Sequence, residues 1–214
     1  MTGRGWKCKW HTEGVFTLSR TTAAAIEQGI GSAGCLQPDC QGILAWPRGV
    51  TSRRVESALA HDWRRSCLGN GEAQFAAARR AFARWAIFDL GWVRVANPDA
   101  TICPGQIIAV EAHTLGLWTL NLSKIMTVVD NPTMFGFIYA TTPLHVEQGE
   151  ERFLLEFDRE TGDVWYELEA VSRPTAALAR LGFPITRAFQ ERFSRESHDR
   201  MRQETIAGTG SAGF

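Results

Sequence analysis

The sequence predicts an α+β protein in which one antiparallel sheet curves around a long C-terminal helix. Three observations support this class: an amphipathic helix pattern near residue 80, six strand-like segments after it, and an apolar stripe near the C-terminus. The strand-like segments are joined by short turns, which favours antiparallel hairpins because parallel strands need a long crossover. An antiparallel sheet with one apolar face needs a cover, and the final helix has a stripe of suitable length.

The first 57 residues have little regular patterning and are rich in Gly, Ser, Thr and Arg. We interpret residues 1–57 as an irregular lead-in segment that packs on the main domain. One short helix is expected at residues 21–28, with Thr21 or Thr22 as its N-cap and Gly29 at its end.

The main domain is predicted to span residues 58–205. It begins with a strand at 60–68 and a Gly-Asn-Gly turn, followed by a helix at 72–88 whose apolar residues recur every three or four positions. Six strands follow at 91–96, 106–114, 117–130, 134–142, 151–158 and 164–172, each separated from the next by Gly, Pro, Asn or Asp.

The C-terminal helix is predicted to begin at Pro174, a residue favoured in the first turn of a helix. Residues 182–184 (Gly-Phe-Pro) should kink or break it. Residues 206–214 are predicted to form a flexible tail. The helix carries an apolar stripe that comprises Leu178, Leu181, Ile185, Phe189 and Phe193.

The charge balance and hydropathy limit the possible partners. Lysine plus arginine equals aspartate plus glutamate at 23 each, so the chain lacks the positive field that nucleic-acid binding needs. No segment reaches the roughly 18–20 apolar residues of a membrane span, and no apolar region of a secretory signal follows the basic N-terminus. The expected partner is a small apolar or aromatic molecule, and the oligomeric state is left open.

The five cysteines do not form a framework of regular spacing. An odd number favours reduced thiols and a cytoplasmic location. Cys8, His11, Cys35 and Cys40 would be tetrahedral zinc ligands only with an uncommon spacing, so no metal is expected. Neither a phosphate loop nor a dinucleotide fingerprint occurs, so we expect no cofactor.

The most informative stretch, residues 135–157, contains two strand-like runs around a polar turn with His145, Glu147, Glu150 and Glu151. An imidazole close to carboxylates is suited to proton transfer near neutral pH, so this cluster is a candidate proton-transfer set, with His145, Glu147 and Glu150 as its candidate catalytic residues. A turn whose charges face water is the alternative. His113 and Glu111 are a second candidate pair, because residues two apart share one face of a strand.

Five further residues are candidates for contacting a ligand. By strand alternation Trp118 and Asn121 lie on opposite faces unless a bulge intervenes, and each side chain needs a partner if it is buried. Arg173, between the last strand and the last helix, suits either a ligand carboxylate or a structural ion pair. The set is Trp118, Asn121, Tyr139, Tyr166 and Arg173.

Six segments in consistent order resemble the DUF1990 family, also called UPF0548: LGNGEAQF, ARWAIFDLGWVRV, HTLGLWTLN, FGFIYATTPLHVEQGEERF, VWYELEAVSRP and LARLGFPITRAFQERFSRES. The resemblance covers residues 68–201 and implies a helix-grip fold of the START and Bet v 1-like class. It carries no particular reaction with it. The chain departs from the family pattern at Ala140, where the family has glycine.

Two classes of function fit these observations. In the first, a cavity between the sheet and the C-terminal helix binds an apolar or aromatic molecule. Such a protein is either a carrier or a cofactor-free enzyme of cyclase, dehydratase or isomerase type, and the sequence leaves this open. In the second class the chain is a protein–protein interaction module without catalytic activity. An open apolar patch without an enclosed cavity would favour the second class.

Overall fold

Within the part of the chain that the computed structural model describes, residues 16–39, 41–46, 60–174 and 183–210, eight strands form one antiparallel sheet. They are β1 (Phe16–Thr17), β2 (Ala60–Asn70), β3 (Val93–Val95), β4 (Ile107–Thr114), β5 (Leu117–Asp130), β6 (Met134–Thr141), β7 (Glu147–Phe157) and β8 (Asp163–Pro174). The order across the sheet is β2-β8-β7-β6-β5-β4-β3, and β1 pairs with β5 beyond the end of β6.

Three α-helices accompany the sheet in the described residues. They are α1 (Ala23–Gly34), α2 (Glu72–Ala83) and α3 (Phe183–Gly210), and a single 3-10 turn (Ala86–Phe88) follows α2. Helix α3 packs against α2 and against the strands β2 and β8. The curved antiparallel sheet with a C-terminal helix confirms the fold class that the sequence predicts.

The main core lies between the concave face of the sheet and helices α2 and α3. Alternate residues of β6, β7 and β8 point into it, as period-two alternation requires. Phe82 of α2 makes edge-to-face contacts with three rings of the sheet, with centroids 5.5–6.2 Å apart. Fully buried side chains at its centre include Phe82, Phe137, Phe153, Leu155 and Tyr166.

The described residues of the N-terminal segment cover part of the convex face of the sheet. Helix α1 packs on β4 and β5 through a small cluster that includes Ile26, Ala33 and Leu122. Thr22 caps α1 by accepting a hydrogen bond from the backbone N–H of Ala25, as the sequence predicts. The helix continues past Gly29, where a Cβ would lie 3.1 Å from Leu122 Cδ1. Glycine at this position therefore lets α1 approach the sheet closely.

Two elements differ from their predicted bounds in ways that matter for the site. Strand β7 begins at Glu147, four residues before the predicted start, because residues 147–150 pair with β8. Helix α3 begins at Phe183 and continues through Gly210, so residues 206–210 of the predicted tail are helical. The predicted helical positions Leu178 and Leu181 and the tail residues 211–214 lie outside the described residues.

Candidate functional site

A cavity of about 490 Å³ lies between the concave face of the sheet and the first turns of α3. Strands β4, β5, β6 and β7 form its floor, and the segment after β6 borders it. Its lining is mostly apolar and includes Phe16, Phe88, Trp92, Val110, Ala112, Leu115, Leu117, Ile185, Phe189 and Phe193. The volume falls within the range of about 300–1,000 Å³ that is typical of small-molecule sites.

Aromatic rings form the wall on the helix side. The ring centroids of Trp92 and Phe189 are 5.7 Å apart, and those of Phe88 and Phe193 are 5.4 Å apart. The indole N–H of Trp92 donates a 2.6 Å hydrogen bond to Glu196 of α3. These contacts fix α3 over the cavity by packing and by a hydrogen bond.

Two exposed apolar side chains mark the opening of the cavity. Leu115 in the turn between β4 and β5 is 75% exposed, and Ile185 at the start of α3 is 51% exposed. Leu115 has a φ of 52°, a left-handed conformation that bulky residues rarely adopt. The opening thus lies between the β4–β5 turn and the beginning of α3.

The carboxyl of Glu151 differs from the other polar groups of the cavity in its hydrogen bonding and in its pKa. One of its oxygens accepts a hydrogen bond from the hydroxyl of Tyr139, and the other, Oε2, is buried without a partner among the described residues. Burial, followed by the nearby carboxylates of Glu147 and Asp62, raises the pKa of Glu151 to about 8. Burial and Glu151 also raise the pKa of Tyr139, so its hydroxyl is neutral.

His145 lies in the segment between β6 and β7 and lines the cavity. Its Nδ1 lies 3.0 Å from the backbone nitrogen of Glu147 and 3.1 Å from the carbonyl oxygen of the same residue. Burial lowers the pKa of His145 to about 4. The sequence predicts a proton-transfer group that titrates near neutrality. The structure differs because desolvation disfavours the charged imidazole.

Glu147 joins the sheet to α3 at the edge of the cavity. Its two carboxyl oxygens each accept a 2.8 Å hydrogen bond from Gln190 Nε2, and Oε2 also accepts one from Ser172 at 3.1 Å. Burial raises the pKa of Glu147, and these hydrogen bonds oppose the rise. Glu147 therefore has its own partners within the protein.

Asn121 faces the cavity from β5, as the predicted alternation allows. Its side-chain amide donates to Thr119 Oγ1 at 3.1 Å, and its Oδ1 accepts the backbone N–H of Val146 at 3.3 Å. Asn121 thereby orders the segment that contains His145.

Glu150, which the sequence groups with His145 and Glu147, lies on the opposite face of the sheet. Its carboxyl accepts three backbone hydrogen bonds of 2.7–2.9 Å, from Gly42, Ile43 and Leu44. Strand alternation along β7 causes this separation, since residues 147 and 151 point to the concave face and residue 150 points away. Glu150 anchors the N-terminal segment and does not contact the cavity.

The convex face also holds three further residues that the sequence predicts as site residues. Glu111 accepts hydrogen bonds from Arg94 and Arg20, and the ring of His113 stacks on that of Trp118 with centroids 4.5 Å apart. Their alternate neighbours, such as Val110 and Ala112, line the cavity instead. The structure therefore does not bring Glu111, His113 or Trp118 together with His145.

Tyr166 and Arg173 are also outside the cavity lining. Tyr166 is fully buried in the core, where its hydroxyl lies 2.9 Å from Ser197 Oγ of α3. Arg173 donates a 2.9 Å hydrogen bond to Gln148 on the neighbouring strand. Of the ten predicted site residues, the cavity thus brings together Asn121, Tyr139, His145 and Glu147.

The sequence places Glu151 in the polar cluster but does not single it out as a site residue. The sequence does contain a signal for it: Glu151 lies on the same face of the strand as Phe153 and Leu155, whose side chains belong to the core. A carboxyl at an inward position of an otherwise apolar strand face predicts an unusual environment. Gln190 had no such signal, since its role depends on how α3 docks on the sheet.

Within the described ranges, no group of three or more potential metal ligands occurs. Cys35 is an exposed free thiol, and the other three residues of the considered zinc set, Cys8, His11 and Cys40, lie outside those ranges.

The comparison with known families decides the identity of the chain. A family model described as "Domain of unknown function (DUF1990)" matches residues 45–200, most of the chain. The chain belongs to the DUF1990 family. Among DUF1990 relatives, a UPF0548 protein of Dictyostelium discoideum is 34% identical over 145 residues, 63% of this chain and 67% of the relative. A UPF0548 protein of Deinococcus radiodurans is 32% identical over 150 residues, 63% and 75% of the two chains.

Solved structures of other proteins are similar at low identity. Zhui aromatase/cyclase from Streptomyces sp. R1128 has a TM-score of 0.49 and 13% identity, over 72% of this DUF1990 chain and 98% of that chain. Ara h 8.0201 has a TM-score of 0.46 and 13% identity, over 70% and 99% of the two chains.

Proposed function

We propose that this protein binds a small apolar or aromatic molecule in the cavity between the sheet and α3. The observation that carries the proposal is the cavity itself: about 490 Å³, walled mainly by apolar side chains, and containing a Glu151 carboxyl oxygen without a partner in the described residues. Apolar walls supply affinity through burial, and a few polar groups orient the ligand.

The polar groups come from neighbouring strands and from the segment after β6, which borders the cavity. Tyr139 and Glu151 lie at the floor, and His145 lies where the segment after β6 enters the lining. Groups that β-strands hold are more rigidly placed than groups on loops, so Tyr139 and Glu151 are the better candidates for a fixed contact. His145 is a second contact.

A cofactor-free enzyme is the second candidate function. The specific observation in its favour is the Glu151 carboxyl, whose pKa of about 8 makes it a proton donor at neutral pH. Cyclase, dehydratase and isomerase reactions can each use a proton donor of this kind. An enzyme would lose turnover in Glu151→Gln while keeping ligand affinity, whereas a carrier has no turnover to lose.

The arginines of α3 bear on the alternative of a protein–protein interaction module. Arg187 pairs with Asp62, Arg192 with Glu196, and Arg200 with Asp89 and Glu204. Charges that are paired within the protein are less available for a partner. This supports ligand binding over an interaction module.

The proposed setting is cytoplasmic. Cys35, Cys67 and Cys103 are exposed free thiols, which suits a reducing compartment. In the described residues, no helix is both long and apolar enough to cross a bilayer.

The test uses N-phenyl-1-naphthylamine, an uncharged probe whose fluorescence rises in apolar surroundings. Two variants of one strand form a matched pair: Ala112→Phe fills the cavity, whereas His113→Phe places a phenyl ring at the next residue, on the convex face, where it replaces an imidazole. We expect saturable binding to the natural protein and to His113→Phe, and binding at least tenfold weaker to Ala112→Phe. Circular dichroism melts check that both variants are folded.

Equal binding by all three proteins would place the probe elsewhere and would overturn the proposal. Absence of saturable binding to the natural protein would overturn it as well. If Ala112→Phe does not fold, Thr119→Phe, which enters the cavity from β5, replaces it.

A further inference from the structure

The charged groups of the cavity are all acidic. Glu147 and Glu151 are the two acidic residues in the lining, and neither lysine nor arginine occurs among the described lining residues. An anionic ligand would therefore meet two carboxyl groups and find no cation to pair with. Burying such a charge without a partner is strongly unfavourable.

Glu147 is not available for a ligand. Gln190 and Ser172 occupy its carboxyl oxygens, and Arg187, which lowers its pKa, is itself paired with Asp62. Displacing Gln190 would also break a connection between α3 and the sheet. The polar contact with a ligand is therefore left to Glu151.

Glu151 has a hydrogen-bond deficit that a ligand can fill. Tyr139 donates to one oxygen, and Oε2 has no partner in the described residues. The titratable groups that interact electrostatically with this carboxyl are Tyr139 on β6, Glu147 on the same strand, Asp62 on β2 and Tyr166 on β8. His145 also lines the cavity, and burial lowers its pKa to about 4, so it is neutral as well. None of these is a cation, so this environment favours the uncharged carboxylic acid.

We infer that the ligand is an uncharged molecule with an apolar skeleton that presents a hydrogen-bond-accepting oxygen, such as a ketone or aldehyde carbonyl, to the Glu151 carboxyl. This inference rests on the proposed function. A carboxylic acid in its neutral form has one O–H donor, which a carbonyl oxygen satisfies. A protonated amine is disfavoured, because an ion pair with Glu151 would require two charged groups in an apolar cavity. The attraction within that single ion pair would have to offset the cost of desolvating both charges.

The pH dependence of binding follows from this arrangement. Because the pKa of Glu151 is raised to about 8, the donor is present at pH 6.5 and mostly lost at pH 9.5. A carbonyl ligand should bind more weakly at the higher pH. A hydrocarbon of the same shape should be unaffected, and an amine should show the opposite trend.

The test compares four naphthalenes substituted at position 2, measured by calorimetry at pH 6.5 and 9.5: the methyl ketone, the ethyl hydrocarbon, the carboxylate and the aminomethyl compound. At pH 6.5 we expect the ketone to bind about tenfold more tightly than the hydrocarbon, the value of one net hydrogen bond. At pH 9.5 that advantage should disappear. The carboxylate and the amine should bind more weakly than the hydrocarbon.

Two variants assign the effect to Glu151. Glu151→Gln should keep the preference for the ketone, because an amide N–H also donates, and should lose its pH dependence. Glu151→Leu should bind ketone and hydrocarbon equally. The hydrocarbon reports whether the cavity is intact in each variant.

The outcomes separate this inference from the proposed function. If the hydrocarbon binds and the ketone has no advantage, or if the amine binds most tightly, the inference is overturned while the proposed function stands. If neither the hydrocarbon nor the ketone binds, the proposed function itself fails.

Discussion

Tyr139 and Glu151 are directly paired residues of the neighbouring strands β6 and β7, and the Tyr139 hydroxyl donates a hydrogen bond to the Glu151 carboxyl inside the cavity. Both side chains point to the concave face, so the pair is shielded by the sheet below and by α3 above. The pair is held by backbone register rather than by a flexible loop. It therefore provides a fixed polar point in a mostly apolar space.

The first prediction concerns stability above neutral pH. Between pH 4.5 and about 8 the unfolded chain ionises Glu151 while the folded protein keeps it protonated, so stability should fall as pH rises through this window. The contribution between pH 6.5 and 8 is about 2 kcal/mol. In Glu151→Gln this part of the decrease in the free energy of unfolding should be absent, and urea denaturation at the two pH values measures it. Identical slopes in the two proteins would contradict it.

The second prediction concerns acid stability and His198. This buried residue lies 2.6 Å from Ser66 through Nδ1, and burial, followed by Arg64 and Arg202, lowers its pKa to about 3. Between pH 3 and 6.5 the unfolded chain binds a proton that the folded protein excludes, so stability should fall on acidification.

His198→Asn should keep the contact with Ser66 and reduce the slope of that acid loss by about 1.4 kcal/mol per pH unit. Denaturant titrations between pH 4 and 6.5 measure it. His145 contributes a similar slope in both proteins, because its pKa is lowered to about 4. An unchanged slope would mean that His198 is not held neutral.

The third prediction concerns Glu150 as an anchor of the N-terminal segment. Glu150→Ala should lower the free energy of unfolding by about 3 kcal/mol, because three backbone N–H groups lose their acceptor. Glu150→Gln should cost less, since one acceptor oxygen remains. Glu160→Ala, at an exposed turn, is the matched control. A decrease in the free energy of unfolding of less than about 1 kcal/mol in Glu150→Ala would show that Glu150 does not anchor the segment.

The fourth prediction concerns Phe189, which the sequence places in the stripe that covers the sheet. The structure shows this ring partly buried at the wall of the cavity. Phe189→Ala should therefore cost only about 1–2 kcal/mol, compared with about 3–5 kcal/mol for the fully buried Phe153→Ala. Chemical denaturation compares them, and equal losses would show that Phe189 belongs to the packed core.

The sequence predicts the fold well because its signals are local. Alternation and turn residues locate the strands from β3 to β8, and the amphipathic pattern locates α2 and the later part of α3. The start of β7 at Glu147 is less visible, since residues 147–150 are polar and their strand conformation depends on pairing with β8. Long-range pairing of this kind leaves little trace in a single segment.

The site is less predictable because it depends on which face each residue occupies. If residues 145–151 formed one turn, Glu150 would lie close to His145. In the structure a strand begins at residue 147, and its alternation places Glu150 and Glu151 on opposite faces. The roles of the titratable groups also change on burial, which lowers the pKa of His145 and raises that of Glu151. Neither shift can be read from the sequence, because each arises from the cavity that the fold creates.

The most direct test of the central claim is where a ligand binds, and tryptophan indole signals report it. Trp92 lines the cavity, whereas Trp118 and the half-exposed Trp63 lie on the convex face. The experiment is a nitrogen–proton correlation NMR titration with 2-acetylnaphthalene, in which Trp→Phe variants assign the indole N–H signals. The signal of Trp92 should shift saturably, while those of Trp63 and Trp118 stay unchanged. A saturable shift at Trp63 or Trp118 without one at Trp92 would contradict binding in the cavity.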